Sequence, residues 1–163
     1  MCARTKTNLS LIFMILLTFN ANHLFAAGSS EPAVEAEALS HKIVATVKAG
    51  EYQKAISEFR SFIKTEKNNA NAWNWLGYSE RKNGNYKASL KAYKKALKID
   101  KKHLRANEYL GELYLSTNKP RLVKKQLKRL AKYCGECEEY HLLSASIASY
   151  NDSDKTHEEE HDY

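Results

Sequence analysis

One pattern of apolar, aromatic and glycine residues recurs in this chain every 34 residues, and no other feature constrains the fold so tightly. Gly50 returns as Gly84, Tyr52 as Tyr86, Ala55 as Ser89 and Phe59 as Tyr93, without a gap. Further on, Leu76 and Gly77 return as Leu110 and Gly111, and Tyr114 falls on the place of Glu80. Three copies therefore follow one another, at 36–69, 70–103 and 104–137. Within each, apolar residues keep helical spacing on both sides of a break containing Gly or Asn, so each copy reads as two short helices. The expected helices are 36–48, 52–65, 70–82, 86–99, 104–116, 120–133 and a last one at 138–150, and no strand pattern competes. A single copy has too little apolar surface to close a core, so stability must come from stacking.

The central copy runs from Trp73-Asn-Trp-Leu-Gly-Tyr through Gly84-Asn-Tyr, then Leu90 and Tyr93, to Ala96-Leu-Lys-Ile-Asp100. It resembles the tetratricopeptide repeat, whose pattern is Trp, Leu, Gly, an aromatic, Gly, Tyr, Ala, an aromatic, then Ala-Leu. The resemblance implies an all-α solenoid of helical hairpins: three repeats at 36–137 and a capping helix at 138–150. The end copies depart from the pattern as terminal repeats do. Lys42 and Ile43 stand where the other copies have Leu and Gly, Asn118 replaces the turn glycine, and Pro120 replaces Tyr. Proline in the first turn of a helix loses no hydrogen bond, so Pro120 still fits. Glycine inside a helix costs about 1 kcal/mol against Ala, so Gly77 and Gly111 imply close approach of the paired helix.

Outside the repeats, Arg4 and Lys6 precede an apolar run, Leu9 to Phe19, followed by the small residues Ala26-Ala27-Gly28. This is the pattern of a secretory signal peptide over residues 1–28, and the run falls short of the roughly 20 residues that span a bilayer. The chain is therefore expected to be exported, periplasmic or secreted. Residues 29–35 read as a linker. The last helix opens with Glu138 and Glu139, suited to the positive end of its dipole, and Tyr140, Leu143, Ile147 and Tyr150 form one stripe able to cover the third hairpin. Beyond it, residues 151–163 carry six acids and one base and no aliphatic residue, a composition that predicts disorder.

The family binds partners in a concave groove lined by the first helix of each repeat. That resemblance implies Asn71, Asn74, Tyr78, Arg81, Lys82, Arg105, Glu108 and Glu112 as groove residues, joined by Ser40, Val44, Val47 and Leu115. Asn side chains suit a peptide backbone, Tyr78 gives an amphipathic contact, and Arg81 with Lys82 suits a carboxylate. The chaperone-binding members hold Hsp70 or Hsp90 tails with a clamp of Lys, Asn and Arg. At those places this chain has Ser40, Val44, Trp75, Arg105 and Tyr109, so that clamp is absent. The expected role is a non-enzymatic exported adaptor for a protein or peptide partner.

Cys134 and Cys137 are the only cysteines besides Cys2, which leaves with the signal. Three alternatives stand for them: a structural disulfide, as suits an exported chain, a redox pair, or, with His141, three of the four ligands of a zinc site. The segment from Tyr133 to Tyr140 looks like the C-terminal cap of small exported repeat proteins of proteobacteria, most of them without an assigned activity. His157-Glu-Glu-Glu-His161 matches His-Glu-x-x-His, but an acidic tail supplies neither a buried helix nor a third ligand. His41 and His103 lack a ligand partner at useful spacing. No nucleophile–base arrangement, paired carboxylates or phosphate loop can be assembled, so no catalytic residue and no cofactor are implied.

The formal net charge is +7. It is concentrated: Glu80 to Lys132 holds seventeen Lys and Arg against four acids. Lys87, Lys91, Lys94, Lys95 and Lys98 share the polar side of one second helix, and Lys124, Lys125, Lys128, Arg129 and Lys132 that of the next. In this family those helices form the convex back. The cluster suits a solvated face, an anionic membrane surface or polyanion, or the chain's own acidic tail; nucleic acid is disfavoured by the export signal.

Overall fold

The structure, a computed structural model, describes the backbone of residues 32–159 and the side chains of residues 34–152. The expected signal peptide, linker residues 29–31 and tail residues 160–163 lie outside the described residues. Seven helices are described: α1 Pro32–Lys48, α2 Tyr52–Thr65, α3 Ala70–Lys82, α4 Tyr86–Ile99, α5 Leu104–Ser116, α6 Pro120–Cys134 and α7 Glu138–Glu159. No strand occurs among the described residues. Two helices are longer than expected. α1 already begins at Pro32, a residue compatible with a first turn. α7 continues past Tyr150 into residues expected to lack order, because the chain holds neither Gly nor Pro from Glu138 to Glu159 to stop it.

What makes each repeat a hairpin is one residue with left-handed backbone. Gly50, Gly84 and Asn118 have φ of 79°, 80° and 50° and sit at equivalent places in the three repeats. Glycine takes this conformation without steric cost, and Asn is among the few other residues that tolerate it. Each turn closes with the same two bonds. The Gly84 N–H donates to Arg81 O and the Asn85 N–H to Glu80 O; Gly50 with Glu51, and Asn118 with Lys119, do likewise. These bonds satisfy carbonyls that a helix end otherwise leaves open. Between repeats, the Asn69 side chain caps α3 by accepting from Ala72 N, 2.9 Å away, and His103 caps α5 by accepting from Ala106 N at 3.2 Å.

Each helix packs on the next in sequence. In addition α1 approaches α3, α3 approaches α5 and α5 approaches α7 closely, while no Cα of α2 comes within 8 Å of α4, nor any of α4 within 8 Å of α6. The odd-numbered helices are therefore the closely spaced row, and the stack curves with them on its inner side. The core has two clusters, one around Ile43, Phe59 and Leu76 and the other around Leu110, Leu130 and Leu143, and the partly buried Tyr78 packs against both. Tyr93 and Phe59, equivalent in adjacent repeats, are both fully buried.

The two helix glycines are both close-contact positions, for different reasons. A Cβ on Gly77 would stand 2.7 Å from the Tyr93 ring of its paired helix. A Cβ on Gly111 would stand 2.6 Å from Leu143 of α7. The expectation of a paired-helix contact thus holds for Gly77 and is corrected for Gly111, where the intruding side chain comes from the cap. α7 packs on both helices of the third hairpin and lies closer to α5 than α3 lies to α1 or α5 to α3. The Tyr150 hydroxyl also donates to Asn118 Oδ1 at 2.8 Å, tying the cap to the last hairpin turn.

Candidate partner-binding groove

The inner wall of α1, α3 and α5 is built around an aromatic cluster. Tyr78 packs edge-on against Tyr52 and Trp75 and lies 5.0 Å, centroid to centroid, from Tyr109 of the next repeat. The Arg81 guanidinium sits 5.5 Å from the Tyr78 ring centre and 6.0 Å from that of Tyr109. It also forms an ion pair with Glu112 across the α3–α5 junction. Only 14% of the Arg81 side chain is exposed, against 26% for Glu112. Arg81, expected to meet a partner's carboxylate, is therefore already matched by one from its own chain.

Asn74 and Glu108, expected on the groove surface, are buried at 1% and 3% exposure. They hold equivalent positions in the second and third repeats, where an inner helix faces its neighbour as well as the groove. Asn74 Oδ1 and Glu108 Oε2 have no hydrogen-bond partner among the described residues. Burial, reinforced by the Glu112 carboxylate one turn on, pushes the Glu108 carboxyl up to about 8. It is consequently protonated at neutral pH, the form that is cheaper to bury.

The exposed groove residues are Asn71, Lys82 and Arg105, with Tyr78, Arg81 and Glu112 half-buried among them. Arg105 leans toward α7: its guanidinium nitrogens lie 3.8 Å from carboxylate oxygens of both Glu138 and Glu139, and Nη1 donates to the Tyr109 hydroxyl at 3.4 Å. Asn71 Oδ1 is 2.9 Å from His103 Nε2. Because His103 Nδ1 accepts from a backbone N–H, the ring proton sits on Nε2 and is donated to Asn71. Burial lowers the His103 imidazole from its ordinary value, which favours the neutral ring. Of the remaining lining positions, Ser40 and Val47 are buried and Val44 and Leu115 half-buried.

Several of these contacts escaped sequence reasoning. His103, noted in the sequence only for lacking a ligand partner, caps α5 and reaches back one repeat to Asn71. Glu80, 1% exposed, accepts from Arg60 Nη2 at 2.6 Å and from Asn85 Nδ2 at 2.8 Å, joining α2 to α3. Its signal was available: an acid stands where the third repeat has Tyr114.

At the far end, Cys134 closes α6 and Cys137 precedes α7, with Cα atoms 5.7 Å apart and sulfurs within bonding distance. The His141 ring packs instead on Tyr140, 5.6 Å between centroids. No group of three His, Cys, Asp or Glu among the described residues could hold a metal ion. The side chains of His157 and His161 lie outside the described residues. No described helix is long and apolar enough to cross a membrane.

Two family models, each described as a tetratricopeptide repeat, match residues 44–103 and 80–147. No curated protein matches the sequence significantly. Among solved structures, the Yersinia enterocolitica type III secretion chaperone SycD, in complex with a peptide of the translocator YopD, is similar. It shows 18% identity over 75% of this chain and 93% of its own, with a TM-score of 0.63. PcrH in complex with the chaperone binding region of PopD shows 17% identity over 78% of this chain and 95% of its own, also at 0.63. The first repeat domain of Spaghetti (RPAP3), bound to an HSP90 peptide, shows 16% identity over 69% and 93%, with a TM-score of 0.61.

Proposed function

The chain belongs to the tetratricopeptide-repeat family, and from that premise we propose that it is a non-catalytic adaptor holding an extended protein segment along α1, α3 and α5. That solved proteins of this fold carry peptides of other proteins supports a protein-binding scaffold. One observation carries the groove assignment. The half-buried Tyr78 face is flanked by the exposed polar side chains of Asn71, Lys82 and Arg105, all on preformed helices. A rigid aromatic surface with polar hooks beside it binds at low entropic cost. Arg81, Glu112, Asn74 and Glu108 act by holding the wall in shape. The partner's contacts fall to Tyr78, Lys82 and Arg105.

Export is part of the proposal, supported by the basic, apolar and small-residue order of residues 1–28. In an oxidising compartment the Cys134–Cys137 pair is a disulfide pinning α6 to the cap.

The test places a photo-crosslinking amino acid at Lys82 and, separately, at Lys124 on the convex side. The reading expects one partner protein from position 82 and none from 124. It also expects that partner to be lost when Tyr78→Ala, Lys82→Glu and Arg105→Glu are combined at unchanged helicity. Equal yields from both positions, or a partner insensitive to the triple substitution, would remove the groove from the account.

A further inference from the structure

The convex side carries a second site that the groove does not use. No Cα atom of α4 comes within 8 Å of one in α6, and the trench between them holds ≈ 480 Å³. Lys94 and Lys98 from α4, Lys101 from the following turn, and Lys125 and Arg129 from α6 enter it from both walls, with no carboxylate among the lining residues. Between the cations it is lined by Leu97, Leu110, Tyr114 and Leu122, a mainly apolar floor interrupted by the buried Gln126. No acid among the described residues forms an ion pair with any of the five cations. Among the described residues, the one side-chain hydrogen bond there that engages a cation runs from Arg129 Nη1 to Gln126 Oε1 at 3.2 Å.

A solvated basic face needs no hollow, and a hollow for a purely polar anion needs no leucine floor. The combination fits an anion with an apolar body. Size narrows it further: the trench falls within the roughly 300–1,000 Å³ of small-ligand sites, whereas a peptide helix about 10–12 Å across would demand a longer, open groove. The surroundings agree. α4 and α6 carry eleven Lys and Arg and no Asp or Glu, so cations extend beyond the trench along both helices, as a contact with a charged lipid surface requires.

We propose that the α4–α6 trench binds the headgroup of an anionic phospholipid, its phosphate held by lysine and arginine from both walls and its glycerol and first acyl carbons set on the leucine floor. The full chain is titrated with dihexanoyl phosphatidylglycerol below its micelle concentration, and in parallel with dihexanoyl phosphatidylcholine, glycerol phosphate and an oligoglutamate peptide. Two charge-reversed proteins carry equal charge changes: Lys98→Glu with Arg129→Glu inside the trench, and Lys91→Glu with Lys132→Glu outside it. All four residues are exposed, so circular dichroism is expected to be unchanged. Saturable phosphatidylglycerol binding is expected, weaker for phosphatidylcholine by about tenfold, and weakened about tenfold by the trench pair but under about threefold by the outer pair. Three results would overturn the proposal. Absent binding, or equal loss in both variants, leaves only a diffuse basic face. Glycerol phosphate binding as tightly as the lipid removes the apolar floor from the site. An oligoglutamate that binds more tightly through the same residues makes the trench a peptide surface.

Discussion

Replacing Glu108 with Gln should stabilise the protein at alkaline pH and change it little near pH 5. Glu108 is 3% exposed, and burial together with Glu112 raises its carboxyl from 4.5 to about 8 in the folded chain. The folded state therefore keeps its proton up to about 8, while the unfolded chain has released it by the ordinary carboxyl range. Between those limits folding takes up a proton, so this group's contribution to stability falls as pH rises through the window and levels off above it. At about 1.4 kcal/mol per pH unit the ceiling is roughly 4–5 kcal/mol. Rotation of the ionised carboxylate toward Arg105 and entry of water lower it to the order of 2 kcal/mol. Gln keeps the size and hydrogen-bonding ends of the protonated acid and has no proton to lose. Urea unfolding of both proteins from pH 5 to pH 9 isolates the effect in their difference, because the other titrating groups are common to both. A stability difference that stays flat with pH, or that favours the native glutamate at pH 9, would refute the reasoning.

Other consequences follow from packing and charge. Gly77→Ala should cost about 1–2 kcal/mol despite the better helix propensity of Ala, because its Cβ meets the buried Tyr93 ring, and the loss should shrink when Tyr93→Leu removes that ring. Equal losses in the two backgrounds, read by urea titration, would break the link. Gly111→Ala should be milder, since the opposing atoms are the ends of a leucine on the terminal helix; its signature is weaker protection of α7 amides in hydrogen exchange. Arg60→Ala should cost about 1–2 kcal/mol, much of it recovered by adding Glu80→Gln, because Glu80 is buried while Arg60 is largely exposed. A double variant no more stable than Arg60→Ala alone argues against a charge effect. Cys134→Ser should cost about 1–2 kcal/mol in non-reducing buffer and nothing in reductant, the loop it opens being short; alkylation mass spectrometry reports the pairing directly.

How far the sequence could be read depends on how local each determinant is. Helix bounds were legible where their signals lie within a few residues of the boundary: Gly84 and Asn118 at hairpin turns, Pro120 in a first turn. The end of α7 was not, since the composition that suggests disorder contains no residue that stops a helix. Gly111 shows the next level. Its conformational cost announced a close neighbour, but whether α6 or α7 supplies it depends on the angle at which the cap enters, which no local pattern records. Asn74 and Glu108 fail for a related reason. An inner-helix position that faces both the groove and the next repeat is turned toward one or the other by the twist between repeats, a property of the stack.

The same distinction decides which groove residues are available to a partner. Arg81 and Glu112 were both expected on one wall, 31 residues apart and opposite in charge, so their pairing was implicit once the repeats were stacked. On the proposed groove reading, that pairing withholds the central cation from a partner and leaves Lys82 exposed one turn from Tyr78. Arg105 is drawn toward Glu138 and Glu139, which ties the charge balance at the groove's end to the seating of α7. Loosening the cap should therefore free Arg105 and change partner affinity without touching a groove residue. Gly111→Ala, which pushes on Leu143, is the variant that separates that coupling from direct contact. If partner affinity is unmoved while α7 protection falls, the groove is complete without its cap.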